Sequence, residues 1–320
     1  MSHVLVAGKL HPSGVALLDQ AEGVTYDYVE DISEESYAPL IGKAEGLVIR
    51  TQPLSAATVA KAENLRIVSR HGVGYDAVDV AALNARNIPL AIVGDVNSRA
   101  VAEHAMTLLL AATKRLLRYD AACRGTRPWN YRNSLEAQEV YGKELLVVGY
   151  GRIGRHLARM AEPFGIRVSV YDPFLSAGED LGGVTRATNL ANSLVKADFI
   201  SLHVPRTEKP ILGSEELRSL KPNAVVLNTA RGGLIDDAAL ASALREGRLL
   251  GAGIDVFAKE PPATDHVYAN IDTAILSPHS AGMSLECAER MAVVSVQNVL
   301  NFFSSSLDLS LIVNNQNIRL

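Results

Sequence analysis

Val147-Val-Gly-Tyr-Gly-Arg-Ile-Gly154, followed by Val168-Ser-Val-Tyr-Asp172 ending 18 positions after the last glycine, decides the fold of this 320-residue chain. Gly149 permits a tight turn after a buried strand. Gly151 carries no side chain to hold the backbone away from a pyrophosphate, and Gly154 lets the next helix pack closely on the sheet. The unpaired N–H groups opening that helix then face the phosphates. Asp172 ends the second strand, where a carboxylate accepts hydrogen bonds from the ribose hydroxyls of the adenosine half and repels a 2′-phosphate. At ~4 Å and an effective dielectric of ~20, that repulsion is about 4 kcal/mol per charge pair before screening, so the pattern predicts NAD over NADP.

Outward from this loop, short apolar runs continue at Phe199-Ile-Ser-Leu, Ala224 to Leu227, Gly253-Ile-Asp-Val and Thr273 to Leu276. An earlier series occupies Val4-Leu-Val-Ala, Val24 to Val29, Leu47-Val-Ile, Arg66-Ile-Val and Leu90-Ala-Ile-Val. Both alternate with Ala/Leu-rich helical stretches, which predicts two doubly wound α/β domains with parallel sheets. Between the series, Val101, Ala105, Leu108, Leu109, Ala112 and Leu116 follow helical spacing from Ser98 to Tyr119, with Ser98 placed as N-cap. This interdomain helix is expected to stop at the turn-rich Arg124-Gly-Thr-Arg-Pro128, beside the only tryptophan, Trp129. A last helix is expected over roughly Glu286 to Phe303.

A net charge of −4 with scattered basic residues points away from nucleic acid and anionic membranes, so the substrate is expected to be small. The N-terminus lacks the features of an export signal, and no apolar run reaches the ~18 residues of a membrane span. Cys123 and Cys287 form no CxxC pair and read as buried thiols of a reducing cytoplasm. The eight histidines show no metal-ligand spacing, so no metal is expected.

Three polar residues interrupt strand ends where an open α/β sheet exposes its crevice. Arg231 follows Ala224-Val-Val-Leu-Asn-Thr, and its guanidinium is suited to hold a carboxylate bidentately while polarising a neighbouring carbonyl. His279 follows Thr273-Ala-Ile-Leu-Ser-Pro, where an imidazole can take a hydroxyl proton as hydride leaves the carbon. Glu260, beside Pro261-Pro262, is expected to touch that ring, set its tautomer and raise its proton affinity.

Together, the glycine loop with Asp172, Leu227-Asn-Thr-Ala-Arg-Gly-Gly-Leu-Ile-Asp236, Asp255-Val-Phe-Ala-Lys-Glu-Pro-Pro262 and Ser277-Pro-His-Ser-Ala-Gly282 resemble the D-2-hydroxyacid dehydrogenases, particularly the phosphoglycerate dehydrogenase branch. RIVSRHGVGYDAVDV at 66–80 and NSRAVAEHAMTLLL at 97–110 resemble it too, so the likeness spans nearly the whole chain. It implies an NAD-dependent oxidoreductase with Arg231, Glu260 and His279 catalytic, and further cofactor contacts at Arg152, Ile153, Val204, Pro205, Thr229, Ala230, Gly282 and, for the nicotinamide carboxamide, Asp255.

The likeness also implies a discontinuous, flavodoxin-like substrate domain of residues 1–98 plus 287–320, an NAD-binding domain of residues 99–286, and a homodimer formed through the NAD-binding domains. The loop Arg70-His-Gly-Val-Gly-Tyr75 corresponds to the substrate loop, where backbone N–H groups at Gly72, Val73 and Gly74 approach a carboxylate because no side chain intervenes. Arg50 and Arg70 would stand near the far end of the substrate, Arg132 resembles a residue that reaches across from the partner subunit to an anionic tail, and three cations around one pocket favour a phosphate or sulfonate. Gln52 stands where some phosphoglycerate enzymes carry another arginine, and Glu208-Lys-Pro210 replaces a threonine-rich turn. With the sequence ending at Leu320, no appended serine-sensing domain is expected. The alternatives are a glyoxylate or hydroxypyruvate reductase and, from a different class, an NAD-sensing corepressor.

Overall fold

The computed structural model describes residues 1–125 and 128–319. Thr126 and Arg127 of the expected turn at 124–128 lie outside the described residues, as does Leu320, the expected end of the first domain. The chain forms two compact units, Met1–Asn97 with Met283–Leu320, and Ser98–Gly282. Among the described residues, six helices run nine residues or more: α1 (Pro12–Gln20), α2 (Ser98–Thr113), α3 (Leu116–Arg124), α4 (Arg152–Ala161), α5 (Asp237–Arg245) and α6 (Leu285–Phe303).

The first unit holds five parallel strands, β1 (Ser2–Ala7), β2 (Val24–Val29), β3 (Gly46–Ile49), β4 (Ile67–Arg70) and β5 (Leu90–Ala91), ordered β2-β1-β3-β4-β5. This is the flavodoxin-like order, whose switch point lies between β1 and β3. Val4, Val6, Val48 and Ile67 bury one face of the sheet against Ala292, Val296 and Val299 of α6. The terminal helix thus returns some 200 residues later because its apolar stripe fits this otherwise uncovered face. Ser284 caps it by accepting the Cys287 N–H at 3.2 Å.

The second unit holds seven parallel strands, β6 (Glu144–Val148), β7 (Arg167–Tyr171), β8 (Thr185–Arg186), β9 (Phe199–Leu202), β10 (Val225–Asn228), β11 (Gly251–Ile254) and β12 (Ala274–Leu276), ordered β12-β11-β10-β9-β6-β7-β8. Leu145 and Val147 of β6 join the core that includes Leu108 and Leu109 of α2 and Leu157 of α4, while Leu146 and Val148 join the core on the opposite face. A strand buried on both faces reads as a continuous apolar run. The order reverses between β6 and β9, so the loops after Val148 and Leu202 flank the crevice at the carboxyl edge.

Several expectations are corrected. The helix expected from Ser98 to Tyr119 ends at Thr113. Arg115 adopts φ 55°, and α3 starts afresh at Leu116, whose side chain is exposed. The Arg115 guanidinium donates to the Leu250 carbonyl, a tertiary contact that helical spacing does not reveal. Ser98 is the first residue of α2 rather than its cap, and α2 lies wholly in the second unit. Cys287 is buried, but Cys123 is exposed. The two-residue edge strand β8 carries no sequence signal, because so short a run has no periodicity.

Two glycines of the nucleotide loop have steric reasons to be glycine. Gly149 has φ 95°, and a Cβ there would stand 2.6 Å from the His203 carbonyl oxygen. A Cβ at Gly154 would fall on the Gly149 carbonyl oxygen, so β6 and α4 could not keep their separation. Gly154→Ala is therefore expected to destabilise the protein by about 1–3 kcal/mol, the usual cost of overpacking. Urea denaturation measures this, and an unchanged midpoint would show that the helix shifts without cost.

Candidate active site

The loop after β6 is built as a cradle. Gly151 precedes α4, and a Cβ built on it meets no atom within 4 Å, so the backbone there faces open space. Arg152 is exposed and Ile153 half-buried at the helix start, where the first N–H groups have no intrahelical acceptor. Asp172, just after β7, accepts the Tyr150 N–H at 2.8 Å through Oδ2 and the Phe174 N–H at 2.9 Å through Oδ1. These bonds fix the carboxylate beside the glycine loop and leave each oxygen a second lone pair.

Across the switch point, Val204 Cγ1 lies 2.8 Å from the Cβ position of Gly149, and Pro205 is exposed. Thr229 and Ala230, after β10, are buried, and the Thr229 hydroxyl has no hydrogen-bond partner among the described residues. An open backbone cradle, a fixed acid and an orphaned buried hydroxyl fit a dinucleotide. Bound there, NAD would supply the hydride-carrying nicotinamide.

Arg231, Glu260 and His279 all belong to the second unit, on loops that follow β10, β11 and β12. His279 Nδ1 and Glu260 Oε2 are 2.7 Å apart, with side chains 50% and 36% exposed. The other Glu260 oxygen, Oε1, accepts the Phe257 N–H at 2.9 Å. Burial alone would raise the Glu260 carboxyl. The hydrogen bonds from His279 and Phe257 and the positive charges of His279 and Arg231 outweigh it, and hold the carboxyl below its usual value. Arg231 thus lies within electrostatic reach of Glu260. A carboxylate accepts only, so Nδ1 donates and Nε2 is left to exchange a proton with a ligand.

Removing the carboxylate removes the acceptor that orients the ring through Nδ1. Glu260→Gln is expected to alter the pH–rate profile of oxo-acid reduction rather than abolish activity. Because the Glu260 carboxyl is depressed in the folded state, its contribution to stability is present above the ordinary glutamate value and disappears as pH falls through the lower one. A pH–rate profile coincident with wild type would refute the pairing.

The Arg231 loop is held by a residue to which the sequence reading assigned no role. Buried Asn228 donates from Nδ2 to the Arg231 carbonyl at 2.8 Å and accepts the Ala230 N–H at 3.1 Å. Arg231 itself donates to the Ala230 carbonyl at 2.7 Å. A Cβ at Gly232 would fall on the Phe257 carbonyl oxygen, so this glycine lets the Arg231 and Glu260 loops touch. Asn228 looks like any polar residue ending a strand, and only its fold partners distinguish it.

Asp255 is fully buried. Its Oδ1 accepts Ser277 Oγ at 2.6 Å and the Ser280 N–H at 2.8 Å, its Oδ2 accepts the Ala281 N–H at 3.0 Å, and its carbonyl accepts the His279 N–H at 2.7 Å. The segment from Ser277 to half-buried Gly282 therefore wraps around this one residue.

In the first unit, Arg50 follows β3 and Arg70 ends β4, both half-buried. Arg50 donates to the Lys9 carbonyl at 2.9 Å, and Arg70 to the His71 carbonyl at 2.5 Å. Gly72 has φ 144°, and with Val73 and Gly74 forms the turn after β4. Burial, and then the charges of Arg50 and Arg70, push the His71 imidazole down to about 3, so the ring is neutral near pH 7. Its Nε2 is buried without a hydrogen-bond partner among the described residues. Gln52 is buried and donates to the Asp31 carbonyl at 2.8 Å. Arg132 belongs to the other unit, exposed, with its guanidinium 5.7 Å from the Trp129 ring centre. Among the described residues, no group of three or more His, Cys, Asp or Glu is arranged to hold a metal.

Residues 106–281 match the model of the D-isomer specific 2-hydroxyacid dehydrogenase family, NAD binding domain. A D-3-phosphoglycerate dehydrogenase of Mycobacterium tuberculosis is 37% identical over 300 residues, 92% of this chain and 56% of that protein. The chain thus spans little more than half the length of that relative. An (S)-sulfolactate dehydrogenase of Chromohalobacter salexigens is 36% identical over 309 residues, covering 93% of this chain and 97% of that protein. The crystal structure of the TT0316 protein from Thermus thermophilus superposes with a TM-score of 0.88 at 30% identity, covering 95% of this chain and 98% of that one.

Proposed function

The chain belongs to the D-isomer specific 2-hydroxyacid dehydrogenase family, and from that premise we propose that it interconverts a small 2-hydroxy acid and its 2-oxo acid with NAD(H), the acid bearing a phosphate or sulfonate tail. The contact of His279 with Glu260 carries this reading. Glu260 orients the ring through Nδ1, and the exposed face of His279 gives a proton to the carbonyl oxygen during reduction or takes it back during oxidation. Arg231 holds the carboxylate and polarises the reacting carbonyl. The nucleotide is assigned to Gly149, Gly151, Arg152, Ile153, Gly154, Asp172, Val204, Pro205, Thr229, Ala230, Asp255 and Gly282, with Asp172 selecting NAD. Recognition of the acid is assigned to the first unit as the substrate domain, through the N–H groups of Gly72, Val73 and Gly74, with Arg50 and Arg70 for the tail. Arg132 is assigned to the tail of the acid bound by the partner copy.

Support for a tailed acid comes from Arg50 and Arg70, whose charges add to burial in depressing His71, and from similarity to proteins named for phosphoglycerate and sulfolactate. NADH oxidation across 2-oxo acids with and without such a tail tests it. A kcat/KM for glyoxylate equal to that for tailed acids would remove the tail from the proposal, and turnover of no oxo acid would remove the activity.

Pairing of two copies through the second unit is part of the proposal. Leu116, Leu117, Trp129 and Leu135 are 52–86% exposed, apolar side chains that a partner surface would cover. Sedimentation is expected at the dimer mass, and a monomer at micromolar concentration would remove the pairing. No helix among the described residues is long and apolar enough to cross a membrane. A cytoplasmic location is proposed on the two free cysteines, one of them exposed, and cell fractionation checks it.

A further inference from the structure

His279 has φ 51°, a left-handed conformation that a residue with a side chain adopts only when its surroundings hold it. The hold comes from Asp255, which collects the donors of residues 277, 280 and 281 on its carboxylate and that of 279 on its carbonyl. A further contact to this network comes from outside the segment. His104 stands on α2, its side chain 26% exposed, with Nε2 2.8 Å from Ser277 Oγ.

The proton directions follow from valence. Asp255 accepts only, so the 2.6 Å contact from Ser277 uses the single hydroxyl hydrogen. Ser277 therefore has only lone pairs to offer the ring, and His104 Nε2 carries the hydrogen. The chain is His104 Nε2–H to Ser277 Oγ–H to Asp255 Oδ1, a polarised series that ends on the group holding His279 in place.

We infer that His104, acting through Ser277, is a positioning residue for proton transfer: it fixes the Asp255 carboxylate, and with it the left-handed His279 against Glu260. This rests on the assignment of His279 as the proton-transfer group. His104 Nε2 lies 2.8 Å from Ser277 Oγ and 3.8 Å from Asp255 Oδ1, so its influence on His279 passes through Asp255. The charged groups around His279 are Glu260 in contact, Arg231 within reach of Glu260, and the Asp255 carboxylate bound to the N–H of the next residue.

The test compares His104→Leu, which removes the donor at similar volume, with His104→Gln, whose amide N–H replaces it, and with Ser277→Ala. In this chain, His104→Leu and Ser277→Ala are expected to lower kcat by about 10- to 100-fold, as loss of reacting-group alignment does, and to alter the pH–rate profile. His104→Gln should recover most of both. Nitrogen-15 spectra of the histidine rings supply a readout without substrate: the His279 signals should change in the Leu and Ala variants and return towards wild type in the Gln variant. Wild-type kcat and His279 signals in His104→Leu would overturn the inference, as would equal losses in the Leu and Gln variants, which would mean packing rather than a donor. If no oxo acid is turned over by wild type, the assigned activity fails, while the ring spectra still decide whether His104 positions His279.

Discussion

His279→Gln is expected to lower kcat by about 10²- to 10⁴-fold, the range that positioned acid–base groups contribute. NADH binding, followed by nicotinamide fluorescence, should be nearly unaffected, because the expected nucleotide contacts lie mainly on the loops after β6, β7, β9 and β10. Glutamine retains hydrogen-bonding capacity but neither gives up nor accepts a proton near neutral pH, so the loss isolates proton transfer from binding. Position 279 is left-handed and half-exposed, so the replacement opens no cavity, and circular dichroism should report an intact fold. Turnover equal to wild type would remove the imidazole from the mechanism and leave its contact with Glu260 a surface ion pair.

Arg231→Gln is expected to lower kcat/KM by about 10³-fold, near 4 kcal/mol of transition-state stabilisation, comparable with loss of a donor aimed at developing negative charge. The effect should fall on both kcat and KM, since the same guanidinium is assigned the ground-state carboxylate and the polarised carbonyl. Arg231→Lys keeps the charge but loses the planar fork, and should recover only part of the loss. The surrounding loop is held through backbone groups by Asn228 and by the close approach of Gly232 to Phe257, so side-chain replacement should leave its path unchanged. A kcat/KM within a few-fold of wild type in the Gln variant would place substrate binding elsewhere.

The elements most legible in the sequence were those whose physics is local. Strands such as β6 and β9 show as short apolar runs because both faces are buried, and α6 shows as a helical pattern over roughly Glu286 to Phe303. The break at Arg115 was not legible, since Leu116 and Leu117 continue a helical pattern while lying exposed. Nor was the exposure of Cys123, because composition reports a compartment and not the position of one side chain. In the site, strand-end placement marked Arg231, Glu260 and His279. His104, Asn228 and Ser277 gave no such signal, their roles being defined by partners 173, 3 and 22 positions away.

By itself, the order of residues determined that two parallel α/β sheets form and that one carries a nucleotide loop, because turn sterics and the burial of apolar runs act over a few neighbouring positions. Tertiary structure alone decided which oxygen of Glu260 meets His279, that Asp255 spends its carboxylate on the segment carrying that ring, and that His71 sits neutral near two guanidiniums. Hydrogen-bond direction and proton affinity depend on distances of a few ångströms between residues remote in the chain, and those distances exist only once the sheets are assembled.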